Sequence, residues 1–242
     1  MIVWLSLARA EPPPELGVVW GLTVDGVPVG TREVRVRYEG EETGRRIRIV
    51  EAYTDLSGGK KKEAFAFQER LTANSHESFP ASFHAVSSAN GAPREVQARF
   101  GEGVWHVMLA TAEGEQNLTV NAGHIDLSTV DLLDPESERR LAHYEHVRIL
   151  SSDLGRVLQG DVVALGATEI SVGGEIILAE GFELRTSEGS WRYWYASNGF
   201  LLRYEEPRLG RAVVGTMIGS APRAIDEFQV PGLPVIEALE LP

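Results

Sequence analysis

The stretch that decides the fold reads Trp191-Arg-Tyr-Trp-Tyr-Ala-Ser-Asn-Gly-Phe-Leu-Leu-Arg-Tyr-Glu205. Two alternating runs flank Asn198-Gly199, the dipeptide that best supplies the positive φ angles of a two-residue type I′ turn. Aromatic residues share one face of the two runs, and opposite charges share the other. The stretch therefore predicts a half-buried antiparallel hairpin.

The turn also predicts the register of this hairpin. With Asn198-Gly199 as the loop, Tyr195 lies opposite Leu202 and Tyr193 lies opposite Tyr204, with Trp191 on the same face. These aromatic side chains have two interpretations. They line a cavity for a hydrophobic ligand, or they form an ordinary core under a helix or a second sheet.

Composition limits the class of protein. The chain has 242 residues, and its apolar fraction of 43% is enough for a packed core. A net charge of −12 makes the average surface repel phosphates, so we expect no nucleic acid partner. The absence of cysteine excludes disulfides, thiol catalysis and cysteine-type zinc sites.

The first ten residues form a short apolar run that closes in Ala8-Arg9-Ala10, a pattern that signal peptidase accepts. We interpret residues 1–10 as a signal-peptide remnant, and the alternative is an apolar first strand. The run is too short to span a membrane, and no other segment is apolar enough to do so. We therefore expect a periplasmic or secreted bacterial protein that does not span the membrane.

Strand patterns dominate the rest of the chain. We predict one β domain over residues 11–220, and an irregular Pro-rich tail over 221–242. An Asn90-Gly91 turn between two strands resembles the later hairpin, which raises the alternative of two similar meander halves, 17–130 and 145–220. Between them, Asp134 as N-cap and Pro135 at the first helical position predict one short helix that ends near Tyr144.

Three segments together resemble a known group of proteins: Asp25-Gly-Val-Pro-Val-Gly30, Asp131-Leu-Leu-Asp-Pro135, and the run from Trp194-Tyr195 through Asn198-Gly199 to Leu201-Leu202-Arg203. The chain resembles exported bacterial proteins of unknown function of the DUF3108/DUF6134-like type. Their shape is similar to the curved antiparallel sheets of the LolA/LolB lipoprotein carriers. The resemblance implies a mostly β protein, a half-barrel or two-sheet structure with one short helix. It implies no catalytic residues.

A second candidate site is the cluster His143-Tyr-Glu145-His146. His143 and His146 share a helical face at this spacing, and with Glu145 they suggest a metal-dependent hydrolase. The order differs from the HExxH motif, in which the histidines are four residues apart, and polar capping at a helix end explains the cluster more simply. Gly58-Gly59 and Gly173-Gly174 indicate hairpin turns rather than phosphate loops, and we expect no cofactor.

The sequence therefore predicts a non-enzymatic exported β module. It would bind a lipid, another hydrophobic ligand or an envelope protein in the concave face of a curved sheet, through Trp191, Tyr193, Tyr195 and Tyr204. The alternatives are the hydrolase that uses His143, Glu145 and His146, and a structural part of an envelope assembly.

Overall fold

The computed structural model describes residues 16–39, 47–56, 67–76, 79–89, 92–133, 140–208 and 210–219. Most of these residues lie in strands. The first eight strands are β1 (Leu16–Val24), β2 (Val27–Glu39), β3 (Ile47–Asp55), β4 (Phe67–His76), β5 (Phe79–Ala89), β6 (Ala92–Gly101), β7 (Val104–Thr111) and β8 (Gly114–Asn121). The later strands are β9 (Leu127–Ser128), β10 (His146–Leu150), β11 (Val157–Val172), β12 (Glu175–Thr186), β13 (Gly189–Ala196), β14 (Leu201–Arg208) and β15 (Arg211–Gly219).

Within the described residues, these fifteen strands form one sheet in the order β8-β7-β6-β5-β4-β3-β2-β1-β15-β14-β13-β12-β11-β10-β9. The first described strand, β1, lies at the middle of the sheet, where it pairs with both β2 and β15. Neighbouring strands are antiparallel, except that β9 and β10 run parallel. Because β8 and β9 are the two edges and do not pair, the sheet is not closed into a barrel. The predicted fold class, a mostly β protein with a large curved antiparallel sheet and a short helix, is confirmed.

The core lies on the concave side of the sheet. Alternate residues of β1 are buried there, including Val18, Trp20 and Leu22, as expected when one face of a strand packs inward. The same hydrophobic cluster joins Trp105 on β7 to Leu184 on β12, near opposite ends of the strand order. The sheet therefore curls around a single core.

A helix, α1 (Thr129–Leu133), packs onto this concave side through Val130, Leu132 and Leu133. The carboxylate of Asp131 accepts hydrogen bonds from the backbone N–H and the hydroxyl of Ser128, at 2.7 and 2.8 Å. This is the return contact of a capping box, and it satisfies an N–H group that the first helical turn leaves open.

The predicted helix start at Asp134-Pro135 stays a prediction, whereas Ser128 and Asp131 cap a helix, α1, that begins before it. Residues 134–139 lie outside the described residues. Beyond them, Leu141–His143 forms a 3-10 turn instead of a continuing α-helix. A second 3-10 turn, Ala122–His124, follows β8.

The predicted register of the β13–β14 hairpin holds up to Trp194, where Tyr193 pairs with Tyr204, and then shifts. Tyr195 pairs with Leu201, so the expected pairing with Leu202 is wrong. The reason is the turn: the N–H of Ala196 bonds to the carbonyl of Phe200 at 2.8 Å, which closes a loop of three residues rather than two. Gly199 alone carries the positive φ, 87°, that this loop needs.

One of the two-residue turns with both φ angles positive lies at Asp25-Gly26, where φ is 51° and 75°. It joins β1 to β2, with Val24 paired to Val27. The predicted matching turn at Asn90-Gly91 lies outside the described residues, as do the segments 1–10 and 221–242. The two-halves hypothesis and the roles of both termini therefore stay predictions.

Candidate functional site

The four aromatic residues of the predicted ligand site share the concave face. Trp191, Tyr193 and Tyr195 alternate along β13, and Tyr204 of β14 lies opposite Tyr193. All four belong to the hydrophobic core or pack against it, but their surroundings differ. Tyr193, Tyr195 and Tyr204 are buried, whereas Trp191 is half-buried.

At its deep end, the aromatic row is closed by packing. The hydroxyl of Tyr195 donates to the carbonyl of Leu132 in α1 at 3.2 Å, so the helix covers this ring. Tyr204 meets Trp20 edge to face, with ring centroids 6.2 Å apart. Gly215 of β15 lies against the Tyr204 ring, and a Cβ at that position would overlap it. This end of the row is core.

At the other end, Trp191 and Tyr193 line a cavity of about 500 Å³. Its lining includes Ala112 and Glu113 between β7 and β8, Glu188 between β12 and β13, and Gly210 between β14 and β15. The cavity therefore lies where several hairpin turns meet. Apolar side chains contribute much of the wall: Leu132, Leu133, Ile149, Leu154, Leu158, Leu184 and Trp191. A volume of this size, with a wall that combines apolar side chains and a few polar groups, is typical of small-molecule sites.

A buried group of charged and polar side chains also lines this cavity. Arg32 and Glu206 form an ion pair at 3.1 Å, and their side chains are only 3% and 8% exposed. The hydroxyl of Tyr193 donates to Glu206 at 3.3 Å, and Arg208 donates to the same carboxylate at 3.3 Å. Burial of two charges carries a desolvation cost, and the further hydrogen bonds from Tyr193 and Arg208 to Glu206 offset part of it.

Neighbouring contacts hold the buried pair in place. The Nε of Arg32 donates to the hydroxyl of Thr54 at 2.9 Å, and its guanidinium lies 4.6 Å from the centre of the Tyr204 ring. Burial, with a further contribution from the charge of Glu206, raises the pKa of Tyr193 well above its usual range. The phenol therefore stays neutral and keeps its proton for the hydrogen bond to Glu206.

A short segment between β10 and β11, residues 151–156, borders the mouth of the cavity. Asp153 is its anchor: its carboxylate pairs with Arg208, and its backbone carbonyl accepts from Arg94 at 3.1 Å. At one end Ser152 bonds to Thr129 of α1, and at the other Arg156 pairs with Glu188 at 2.8 Å. The segment thus ties together strands from both sides of the curved sheet.

The three residues of the predicted metal site do not share a cleft of this kind. His143, Glu145 and His146 are all exposed. His146 faces Asp161 of the neighbouring strand, with its Nδ1 2.6 Å from the carboxylate. Across the described ranges, no three His, Asp or Glu side chains are arranged to hold a metal ion. The structure does not bring the cluster together as a metal centre.

Sequence reasoning missed the charged residues of the cavity, although the strand pattern contains a signal for them. Arg32 is two and four residues from the buried Val34 and Val36, so it lies on the same face of its strand. Glu206 is two residues from Tyr204 and shares its face in the same way. Each is therefore a charge at an inward-facing position. A charged residue on the apolar face of a strand indicates a buried ion pair or a polar site.

No family model matches the chain, and no curated protein matches it. Among solved structures, the chain is similar to a beta-barrel-like protein of the domain of unknown function DUF1849 from Brucella abortus. The TM-score is 0.50 at 10% sequence identity, over 86% of this chain and 97% of that chain. A DUF1329 family protein from Desulfovibrio piger gives a TM-score of 0.22 at 11% identity, over 85% of this chain and 83% of that chain.

The first of these likenesses concerns the fold alone. It agrees with the curved, mostly β architecture, and the overlap with the second structure is too low to support an argument. The resemblance to the DUF3108/DUF6134-like type stays a prediction. Among the described residues, no helix combines the length and the apolar character needed to cross a membrane. The comparisons therefore place this chain beside a beta-barrel-like protein whose function is unknown.

Proposed function

We propose that this protein is a binding module that holds a hydrophobic or amphipathic small molecule in the mouth cavity, the space lined by Trp191 and Tyr193. The observation that carries the proposal is the cavity itself, about 500 Å³ with an apolar wall beside a buried polar cluster. Apolar surface supplies affinity for such a ligand, and a few fixed polar groups set its orientation.

The polar cluster suits binding rather than group transfer. The carboxylate of Glu206 accepts hydrogen bonds from Arg32, Arg208 and Tyr193. These contacts engage both of its oxygens, whereas a general base must be placed to take a proton from substrate. Its expected role is to keep Tyr193 and the two arginines in fixed positions along the cavity wall.

A fluorescence experiment tests the proposal through Trp191. The chain has five tryptophans, and among the described residues Trp191 is the one that lines the cavity. A bromine atom quenches an indole that it contacts, so 11-bromoundecan-1-ol reports occupancy. We expect saturable quenching of the native protein, and loss of the saturable component in Trp191→Phe.

Two controls separate the cavity from the rest of the surface. Trp194 lies on the opposite face of β13, and Trp194→Phe should keep the saturable quenching. Ala92 lines the cavity, whereas Ala212 is exposed outside it, so Ala92→Phe should weaken binding and Ala212→Phe should not. Quenching that persists unchanged in Trp191→Phe, or an absence of saturable quenching, would contradict the proposal.

We further propose that the protein acts outside the cytoplasm, in the periplasm or as a secreted protein. The support is the Ala8-Arg9-Ala10 motif after an apolar run, together with a chain that needs no reduced thiol. Expression of the full coding sequence in a bacterial host, followed by fractionation, should find the protein outside the cytoplasm with its N-terminus beyond residue 10. Recovery in the cytoplasm with residues 1–10 intact would contradict this proposal.

A further inference from the structure

The charges along the mouth cavity do not balance. Among the lining residues that are buried or half-buried, three are arginines, Arg32, Arg94 and Arg208, and two are acids, Glu206 and Asp153. These five side chains therefore carry one excess positive charge. Two further acids line the rim and are exposed, so solvent screens them more strongly.

Of the two exposed acids, Glu188 is paired with Arg156 at 2.8 Å. Glu113 lies in the exposed turn between β7 and β8. Inside the cavity, Arg32 and Arg208 both pair with Glu206, and Arg208 pairs with Asp153 as well. The excess charge is therefore best assigned to Arg94.

Arg94 is placed to use that charge on a ligand. It lies on the same inward face of β6 as Val96 and Ala98, and it pairs with Ser87, which also lines the cavity. In the part of the chain that the structure describes, its guanidinium makes one hydrogen bond, from Nη1 to the carbonyl of Asp153. A guanidinium has five N–H donors in a fork that matches a carboxylate.

We propose that the ligand of the mouth cavity is a single-chain amphiphile that ends in a carboxylate, with Arg94 as the residue that binds the carboxylate and the apolar wall near Trp191 as the site of the alkyl chain. The proposal rests on the proposed function, since it concerns the same cavity. It adds the sign of the ligand's charge and the residue that selects it.

Two probes of equal chain length test this proposal: 11-bromoundecanoate and 11-bromoundecan-1-ol, each titrated at pH 8 while the quenching of Trp191 is followed. We expect the carboxylate to bind at least tenfold more tightly than the alcohol, a difference of about 1.4 kcal/mol. In Arg94→Gln this preference should fall to about twofold or less. In Arg94→Lys, which keeps the charge but not the fork, part of the preference should remain.

The ratio of the two affinities is measured within each variant, so that a general weakening of the fold affects both probes and cancels. Arg99→Gln is the matched control, because Arg99 lies on the same strand but is exposed and outside the cavity. This variant should keep the native ratio. A native ratio near one, or a preference that survives in Arg94→Gln, would overturn the role of Arg94 and leave the proposed function standing. Failure of both probes to quench the native protein would overturn the proposed function itself.

Discussion

The two ends of one aromatic row have different roles. Tyr195 and Tyr204 at the deep end are buried under α1 and against Gly215. Trp191 and Tyr193 at the mouth end line a cavity of about 500 Å³. All four side chains occupy inward positions of two neighbouring strands, so strand alternation alone does not distinguish core from binding site.

What distinguishes the two ends is the segment packed over them. α1 covers Tyr195, whereas residues 151–156 border the mouth without filling it. The mouth end also has the buried ions, Arg32 and Glu206, which an ordinary core would replace with apolar side chains at lower desolvation cost. In this protein the charged pair beside the aromatic row therefore marks the part of the concave face that faces open volume.

The largest effect is expected from disturbing the deep end. Gly215→Ala places a Cβ against the ring of Tyr204, which is fully buried, so the variant should lose about 1–3 kcal/mol of unfolding free energy. Urea denaturation followed by circular dichroism measures this loss.

Gly219 provides the matched control for that substitution. It lies on the same strand, and a Cβ there would meet no atom within 4 Å. Gly219→Ala should therefore leave the unfolding free energy nearly unchanged. Equal stability of the two variants would show that Tyr204 is not packed as tightly as the structure indicates, and the contrast between the two ends would fail.

A smaller effect is expected from titration at the mouth end. Burial raises the pKa of Tyr193, so its phenol keeps its proton in the folded protein at a pH where it ionises in the unfolded chain. Its contribution to stability is then complete below the unfolded pKa of about 10 and is lost as the pH rises above that value. Above pH 10, this one phenol lowers the unfolding free energy by up to about 1.4 kcal/mol per pH unit.

Tyr193→Phe removes this titration. Its unfolding free energy should fall less steeply than that of the native protein between about pH 10 and pH 11, as measured by urea denaturation at each pH. Trp191→Phe removes no ionisable group, so its unfolding free energy should fall with pH as steeply as that of the native protein. Parallel curves for Tyr193→Phe and the native protein would show that this phenol is not held neutral by burial.

The sequence was sufficient for the architecture because strand periodicity and turn chemistry are local. The pairing of Tyr193 with Tyr204 followed from alternation, but the one-residue shift after Trp194 did not. Asn-Gly suits a two-residue turn, and the chain instead closes a three-residue loop in which Gly199 takes the positive φ. The Asp134-Pro135 signal did not predict α1, which begins earlier in the chain with the contact between Ser128 and Asp131.

The candidate site was harder to predict because it depends on contacts between residues far apart in the chain. Arg32 of β2 and Glu206 of β14 are 174 positions apart in the chain, and they meet on the inner face of the sheet because β1 pairs with β15 between their two strands. Strand alternation in the sequence already placed both residues on the inward face. A cavity, however, depends on how the elements pack, which alternation does not show. Which of the inward aromatic residues face open volume was determined by α1 and by residues 151–156, whose position no local pattern specifies.

The most direct test of the binding site is a crystal structure of the protein grown with 11-bromoundecan-1-ol, with data collected at the bromine absorption edge. A single anomalous peak inside the cavity, in contact with Trp191 and bounded by Leu158 and Leu184, is the predicted result. Anomalous density only on the outer surface, with the mouth cavity closed by its own side chains, would contradict the claim that this end of the aromatic row is a binding site.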